Sequence, residues 1–176
     1  MSDRTYVGEL RRAVEEATPR LLALGDASRE PRAPGHWSPR EIIGHLVDSA
    51  SNNHQRFIRA QFQDDLVFDG YQQDAWVTAG DYQNAPWEEL VALWRTFNLQ
   101  MARVMEHVPD AIRLREASRH NFDRIGFRTL PPGQPATLDF LMEDYVRHLE
   151  HHLRQVFDRP QNEEPGTKNE KLERGT

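Results

Sequence analysis

The sequence predicts an all-α protein, a four-helix bundle with an up-down-down-up path and long connections between helices two and three and between helices three and four. Three observations carry this. Four stretches repeat apolar residues at helical spacing, no run alternates as a half-buried strand does, and two of the three links are too long for simple hairpins. At 176 residues the chain suits one domain. We place that domain at residues 1–158 and expect the polar, charged segment 159–176, rich in Gly and Pro, to be disordered.

The first helix is expected from about Arg4 to Leu24, where Val7, Leu10, Ala13, Val14, Ala17, Leu21 and Leu22 recur with helical period and Pro19 marks a kink or break near the end. Gly25, Pro31, Pro34 and Gly35 then give turn chemistry. Trp37-Ser38-Pro39-Arg40-Glu41 is a helix start, with Ser38 as N-cap, Pro39 in the first turn and Glu41 closing a capping box. The second helix should run to about Phe62. Its stripe of Ile42, Ile43, Leu46, Ala50, Phe57 and Ala60 has His45 on its border, beside a polar edge of Ser49, Asn52 and Arg56, while His54 faces outward and reads as solvated.

Residues 64–85 show no sustained period. Some 20 extended residues reach about 70 Å whereas a 25-residue helix is about 38 Å long, so this link can travel the length of the bundle and let helices two and three run parallel. Pro86-Trp87-Glu88-Glu89 opens the third helix, with acids suited to its dipole and Leu90, Leu93, Trp94, Phe97, Met101, Val104 and Met105 as its buried face. The stretch 109–136 is irregular, with Arg113, Arg115, Arg119, His120, Arg124 and Arg128 set among Phe122 and Phe127. Basic residues among aromatics can mean nucleic-acid contact. The net charge of −6 opposes that, and a loop that pairs with Asp and Glu fits better. Thr137 then caps the fourth helix.

Composition narrows the chemistry. No apolar run approaches a membrane span and the first residues lack the apolar stretch of a signal peptide, so we expect a cytoplasmic protein without membrane or nucleic-acid partners. With no cysteine, disulfides, cysteine nucleophiles and thiolate metal sites are excluded. A metal would need imidazole, carboxylate or carbonyl donors.

The fourth helix supplies them. On an ideal helix His152 lies about 40° from His148, His151 about 60° to the other side and Glu150 about 200° away, so His148 and His152 can grip one ion together. The zinc-protease motif needs Glu directly after the first His, where this chain has Leu149. Leu138, Leu141, Met142, Tyr145, Leu149, Leu153 and Val156 form the core-facing sector, with His152 inside it, His148 on its border and His151 outside. With His45 on the equivalent border of helix two, three histidines form the constellation with metal-ligand character; the plainer alternative is a set of satisfied, half-buried histidines. Three imidazoles leave coordination positions open, as catalytic sites do, and suit zinc, nickel or iron. Asp48 and Asp144 could orient ring nitrogens or act as bases, against the plainer reading of solvated acids. His120 could reach the site from its loop; His36, His54, His107 and His151 are assigned no role.

Trp37-Ser38 leading into Ile43-Gly44-His45-Leu46-Val47-Asp48, then Arg56, and the closing run His148-Leu149-Glu150-His151-His152-Leu153-Arg154-Gln155 resemble the DinB-like superfamily, named for damage-inducible protein B. The likeness extends over nearly the whole body. It implies a four-helix bundle with a divalent metal, usually zinc or nickel, on one histidine of helix two and two of helix four, here His45, His148 and His152, and pairing as a homodimer. Activities in the superfamily include bacillithiol S-transferases and a mycothiol-dependent isomerase. The transferases often carry Arg-Gly-Gln after the paired histidines, and Leu153-Arg154-Gln155 departs from this, which touches the subtype and not the superfamily.

The resulting expectation is a metal-dependent transferase joining a low-molecular-weight thiol, bacillithiol or similar, to an electrophilic small molecule. The metal would lower the thiol pKa and Arg56 or a loop residue could hold the thiol's carboxylates. Two alternatives stay open: a metal-dependent hydrolase using metal-bound water, and a non-catalytic metal-binding stress-response module.

Overall fold

The structure, a computed structural model, describes residues 4–158. The tail expected at 159–176 lies outside the described residues. Seven helices follow one another: α1 (Thr5–Leu22), α2 (Pro39–Arg59), α3 (Gln73–Ala79), α4 (Trp87–His107), α5 (Asp110–Arg113), α6 (Phe122–Ile125) and α7 (Leu138–Phe157). The four long ones, α1, α2, α4 and α7, make the bundle. Among the described residues there is no strand, only isolated bridges of Leu66 with His120 and of Ala117 with Ala136. No helix there is long and apolar enough to cross a membrane.

Local chemistry sets the helix starts. Ser38 Oγ accepts the Glu41 amide at 3.3 Å while the Glu41 carboxylate accepts the Ser38 amide at 2.8 Å, so two orphan donors of α2 are satisfied. Thr137 Oγ1 accepts the Phe140 amide at 3.1 Å and begins α7. Pro19 sits inside α1 without ending it, because only one further turn follows.

Each of α1 and α2 packs against both α4 and α7, so α1 and α2, consecutive in sequence, lie on opposite corners. Cross-contacts fix the directions. Arg4 at the start of α1 donates to Met105 O at the end of α4 (2.9 Å), and Trp87 Nε1 at the start of α4 donates to Leu21 O at the end of α1 (2.8 Å), so the two run antiparallel. Tyr6 and Glu9 of α1 meet Asp139 and Arg147 of α7 in matching order, so these run parallel. His45 faces His148 and His152 while Phe57 meets Tyr145, so α2 and α7 are antiparallel.

Trp94, Phe57, Leu10, Leu21, Ile43, Leu46, Met101 and Met142 fill the core. Leu93, expected inside, is 51% exposed, and Val91 is buried instead. The stripe of α4 is rotated because neighbours lie on two of its sides, at α1 and α2. The long connections are less irregular than their sequences suggest, since α3 lies in the first and α5 and α6 in the second. Basic residues of the second connection pair with acids: Arg115 with Asp64 (3.1 Å), Arg119 with Asp65 (2.9 Å), and Arg128 with Glu143 and Asp144 (both 3.1 Å). The fully buried Arg113 bonds Asp110 and Asp139.

Candidate metal centre

Two antiparallel helices bring the histidines together. His45 lies in the first half of α2 and is fully buried; His152, near the end of α7, is buried, and His148, one turn earlier, is half-buried. Their ligand nitrogens all lie within 4.8 Å of one another, the one such cluster of metal-ligating side chains among the described residues. His148 Nε2 stands 3.2 Å from His45 Nε2 and 3.0 Å from His152 Nε2. The rings meet edge-on, at 78°, 70° and 81°.

The other ring nitrogens decide what those Nε2 atoms carry. His152 Nδ1–H donates to Gln155 Oε1 at 2.7 Å, which leaves a lone pair on Nε2. His148 Nδ1 faces Ser49 Oγ at 3.5 Å, and Ser49 lies close enough to the Tyr71 hydroxyl to act on it electrostatically. His45 Nδ1 is buried without a partner. Burial pushes His45 down to about 3, with His152 adding to it, and pushes His152 down to about 4 against the opposing Gln155 hydrogen bond. Burial, then the neighbouring histidines, holds His148 well below the ordinary imidazole value. The rings are therefore neutral near pH 7.

Three neutral Nε2 atoms cannot satisfy one another, because His148 Nε2 has a single hydrogen or a single lone pair to share between two neighbours. A cation satisfies all three. Tetrahedral zinc with Zn–N near 2.0–2.1 Å sets its nitrogens about 3.4 Å apart, close to the two short separations here. The donor set fits a divalent ion.

Aromatic rings flank the cluster. Trp37, just before the α2 cap, has its ring 5.0 Å from His45 and 6.5 Å from His152, and Phe127 lies 5.5 Å from His148 and 5.2 Å from His151. Asp144 holds the Phe127 loop, its carboxylate accepting the Phe127 amide at 2.7 Å, the Arg128 amide at 2.8 Å and Arg128 Nε at 3.1 Å. A Cβ on Gly126 would meet Phe122 O at 2.7 Å and Arg128 O at 2.8 Å, so the loop's close turn requires glycine.

Asp48 and Asp144, which read as solvated acids in the sequence, are both buried. The Tyr82 hydroxyl donates to Asp48 Oδ1 at 2.6 Å and Oδ2 has no partner. Burial raises the Asp48 pKa, opposed by the Tyr82 bond. Arg56 is buried too, donating to Asp69 O at 2.8 Å and Asn53 Oδ1 at 3.3 Å, so its guanidinium ties down the first long connection. His120 is not brought to the cluster: its Nε2 donates to Gln134 O at 2.7 Å and its Nδ1 accepts the Phe122 amide at 3.2 Å. His54 is half-buried against Phe97 rather than solvated. Trp37, Phe127, Tyr71, Tyr82 and Gln155 were given no role by sequence reasoning; Gln155, three residues after His152 on one helix, was the member that spacing could have found.

A helical bundle with a three-histidine donor set between two antiparallel helices is thus the class of protein this chain defines. The chain belongs to the DinB superfamily, whose family model matches residues 9–156. Its fold is similar to that of YfiT from Bacillus subtilis, described as a probable metal-dependent hydrolase with an unusual four-helix bundle topology. That match has a TM-score of 0.67 and 19% identity, covering 86% of this chain and 82% of that one. No curated protein matches the chain.

Proposed function

We propose that His45, His148 and His152 hold one divalent ion, zinc or nickel, and that the protein is a metal-dependent hydrolase of a small molecule. The observation that carries this is the convergence of three neutral Nε2 atoms with no fourth histidine or carboxylate in the cluster among the described residues, which leaves room for an exogenous ligand. A divalent ion there supplies a Lewis acid that lowers the pKa of a water or a thiol beside it. The chain's own groups do the rest. Gln155 and Ser49 face the outer nitrogens of two ligands, while Trp37 and Phe127 wall the site with apolar surface. The likeness to YfiT supports hydrolysis.

Transfer of a low-molecular-weight thiol such as bacillithiol is the second reading. It is favoured by a donor set without carboxylate, which keeps the full charge of the ion for an anionic thiolate. It is weakened by Arg56, whose guanidinium is already engaged by Asp69 and Asn53.

Metal analysis of protein purified without chelators is the test. Wild type is expected to hold a stoichiometric divalent ion and His152→Ala to lose it; a wild type without one overturns the reading. Metal-loaded protein is then assayed on ester and amide substrates and, separately, on a thiol with an electrophile. Metal-dependent conjugation without hydrolysis gives the site to the second reading.

A further inference from the structure

The three ligand rings are not held equally. His45 Nδ1 has no partner and His148 Nδ1 has only the long 3.5 Å approach of Ser49 Oγ. His152 alone has a short orienting bond, the 2.7 Å contact of Nδ1 with Gln155 Oε1. Gln155 is itself exposed, one turn beyond His152 on α7, and its amide nitrogen donates to His151 Nε2 at 3.1 Å. The carboxamide therefore spans two neighbouring imidazoles, with its accepting end on the ligand and its donating end on the bystander.

That orientation has a chemical consequence. An imidazole facing an oxygen acceptor through Nδ1 must keep its hydrogen there, so Nε2 bears the lone pair. A reversed amide would donate to Nδ1, move the hydrogen to Nε2, and aim an N–H at His148 Nε2 where a cation must sit. A carboxamide oxygen here therefore sets whether His152 is a donor atom to metal or a proton blocking it.

We propose that Gln155 is a positioning residue for the metal centre, fixing the Nδ1–H form and the ring angle of His152 from outside the cluster. The inference rests on the metal reading above. Because the side chain is exposed, its contribution is to ion affinity and not to the packing of the bundle.

The test uses the full chain, stripped of metal, with zinc alone titrated against a chromophoric chelator. Gln155→Leu removes the acceptor and is expected to weaken zinc binding about 10–100-fold. Gln155→Glu keeps an oxygen in reach of the same N–H and is expected to bind within about threefold of wild type or more tightly, as in carboxylate–histidine–metal triads. The thermal midpoints of the three metal-free proteins should coincide. Zinc binding by Gln155→Leu within about twofold of wild type, well short of the outer-partner effect, overturns the inference while leaving the metal centre standing. So does a loss shared equally by Gln155→Glu, or a lower metal-free midpoint for Gln155→Leu, which marks a structural role. Wild type that binds no zinc overturns the metal reading and this inference with it.

Discussion

Acidifying the chelator-treated protein from neutrality towards pH 4 is expected to unfold it cooperatively, with more than one proton taken up. The unfolded chain holds its histidines near 6.5, while in the fold His45 is pushed down to about 3, His152 to about 4, and His148 well below its ordinary value. Above about pH 6.5 both states are neutral at these rings and the group is silent. Below it the unfolded chain binds protons the folded one refuses, so stability is lost as pH falls, until the folded rings themselves protonate. Each ring contributes at most about 1.4 kcal/mol per pH unit, so three together reach about 4. Asp48 works in the other direction, since burial raises its pKa and acid relieves it, but it is one group against three. Over two pH units this reaches about 8 kcal/mol at most, which matches the lower half of the roughly 5–15 kcal/mol typical of a domain. Circular dichroism against pH measures this; a flat profile between pH 6.5 and 4.5 would contradict the buried neutral rings.

Gly44→Ala is expected to lose roughly 2–4 kcal/mol and to release the connection from α2 to α4. A Cβ at position 44 would stand 2.1 Å from the Tyr82 ring and 2.7 Å from its Cβ, so the side chain must leave instead of adjusting its far end. Its burial is worth about 1.5–3 kcal/mol when complete, and the lost bond to Asp48 leaves a buried carboxyl without any partner at about 1–3 kcal/mol. The better helix propensity of alanine returns about 1 kcal/mol. Denaturant titration gives the loss, and faster proteolysis within residues 64–85 reports the release. A variant as stable as wild type would mean that Tyr82 does not pack as described.

The helix starts were legible in the sequence because capping is local: Ser38, Pro39 and Glu41 sit within four positions, and Thr137 caps its own helix. The clustered histidines were legible because a period of 3.6 sets His45 and His148 on stripe borders and His152 inside its stripe, although His45 and His148 are 103 residues apart. The burial of Asp48 and Asp144 was not, since what covers them comes from 34 residues away at Tyr82 and 17 residues away at Phe127. No period within α2 or α7 records those loops. The helices α3, of seven residues, and α5 and α6, of four each, are too short to display a repeat. Leu93 shows the same limit from inside a helix, because periodicity gives a face while the neighbours decide where its edge falls.

Asp144 grips the loop beside the cluster by its main chain, through the amides of Phe127 and Arg128. Every amino acid except proline supplies that N–H. The path of the loop and the identity of the side chain at position 127 are therefore separable, with Gly126 fixing the turn and Asp144 the height. Position 127 becomes a place where the lining of the site can be exchanged, by selection or by design, without rebuilding any backbone, so a new preference for what enters can arise from a single codon.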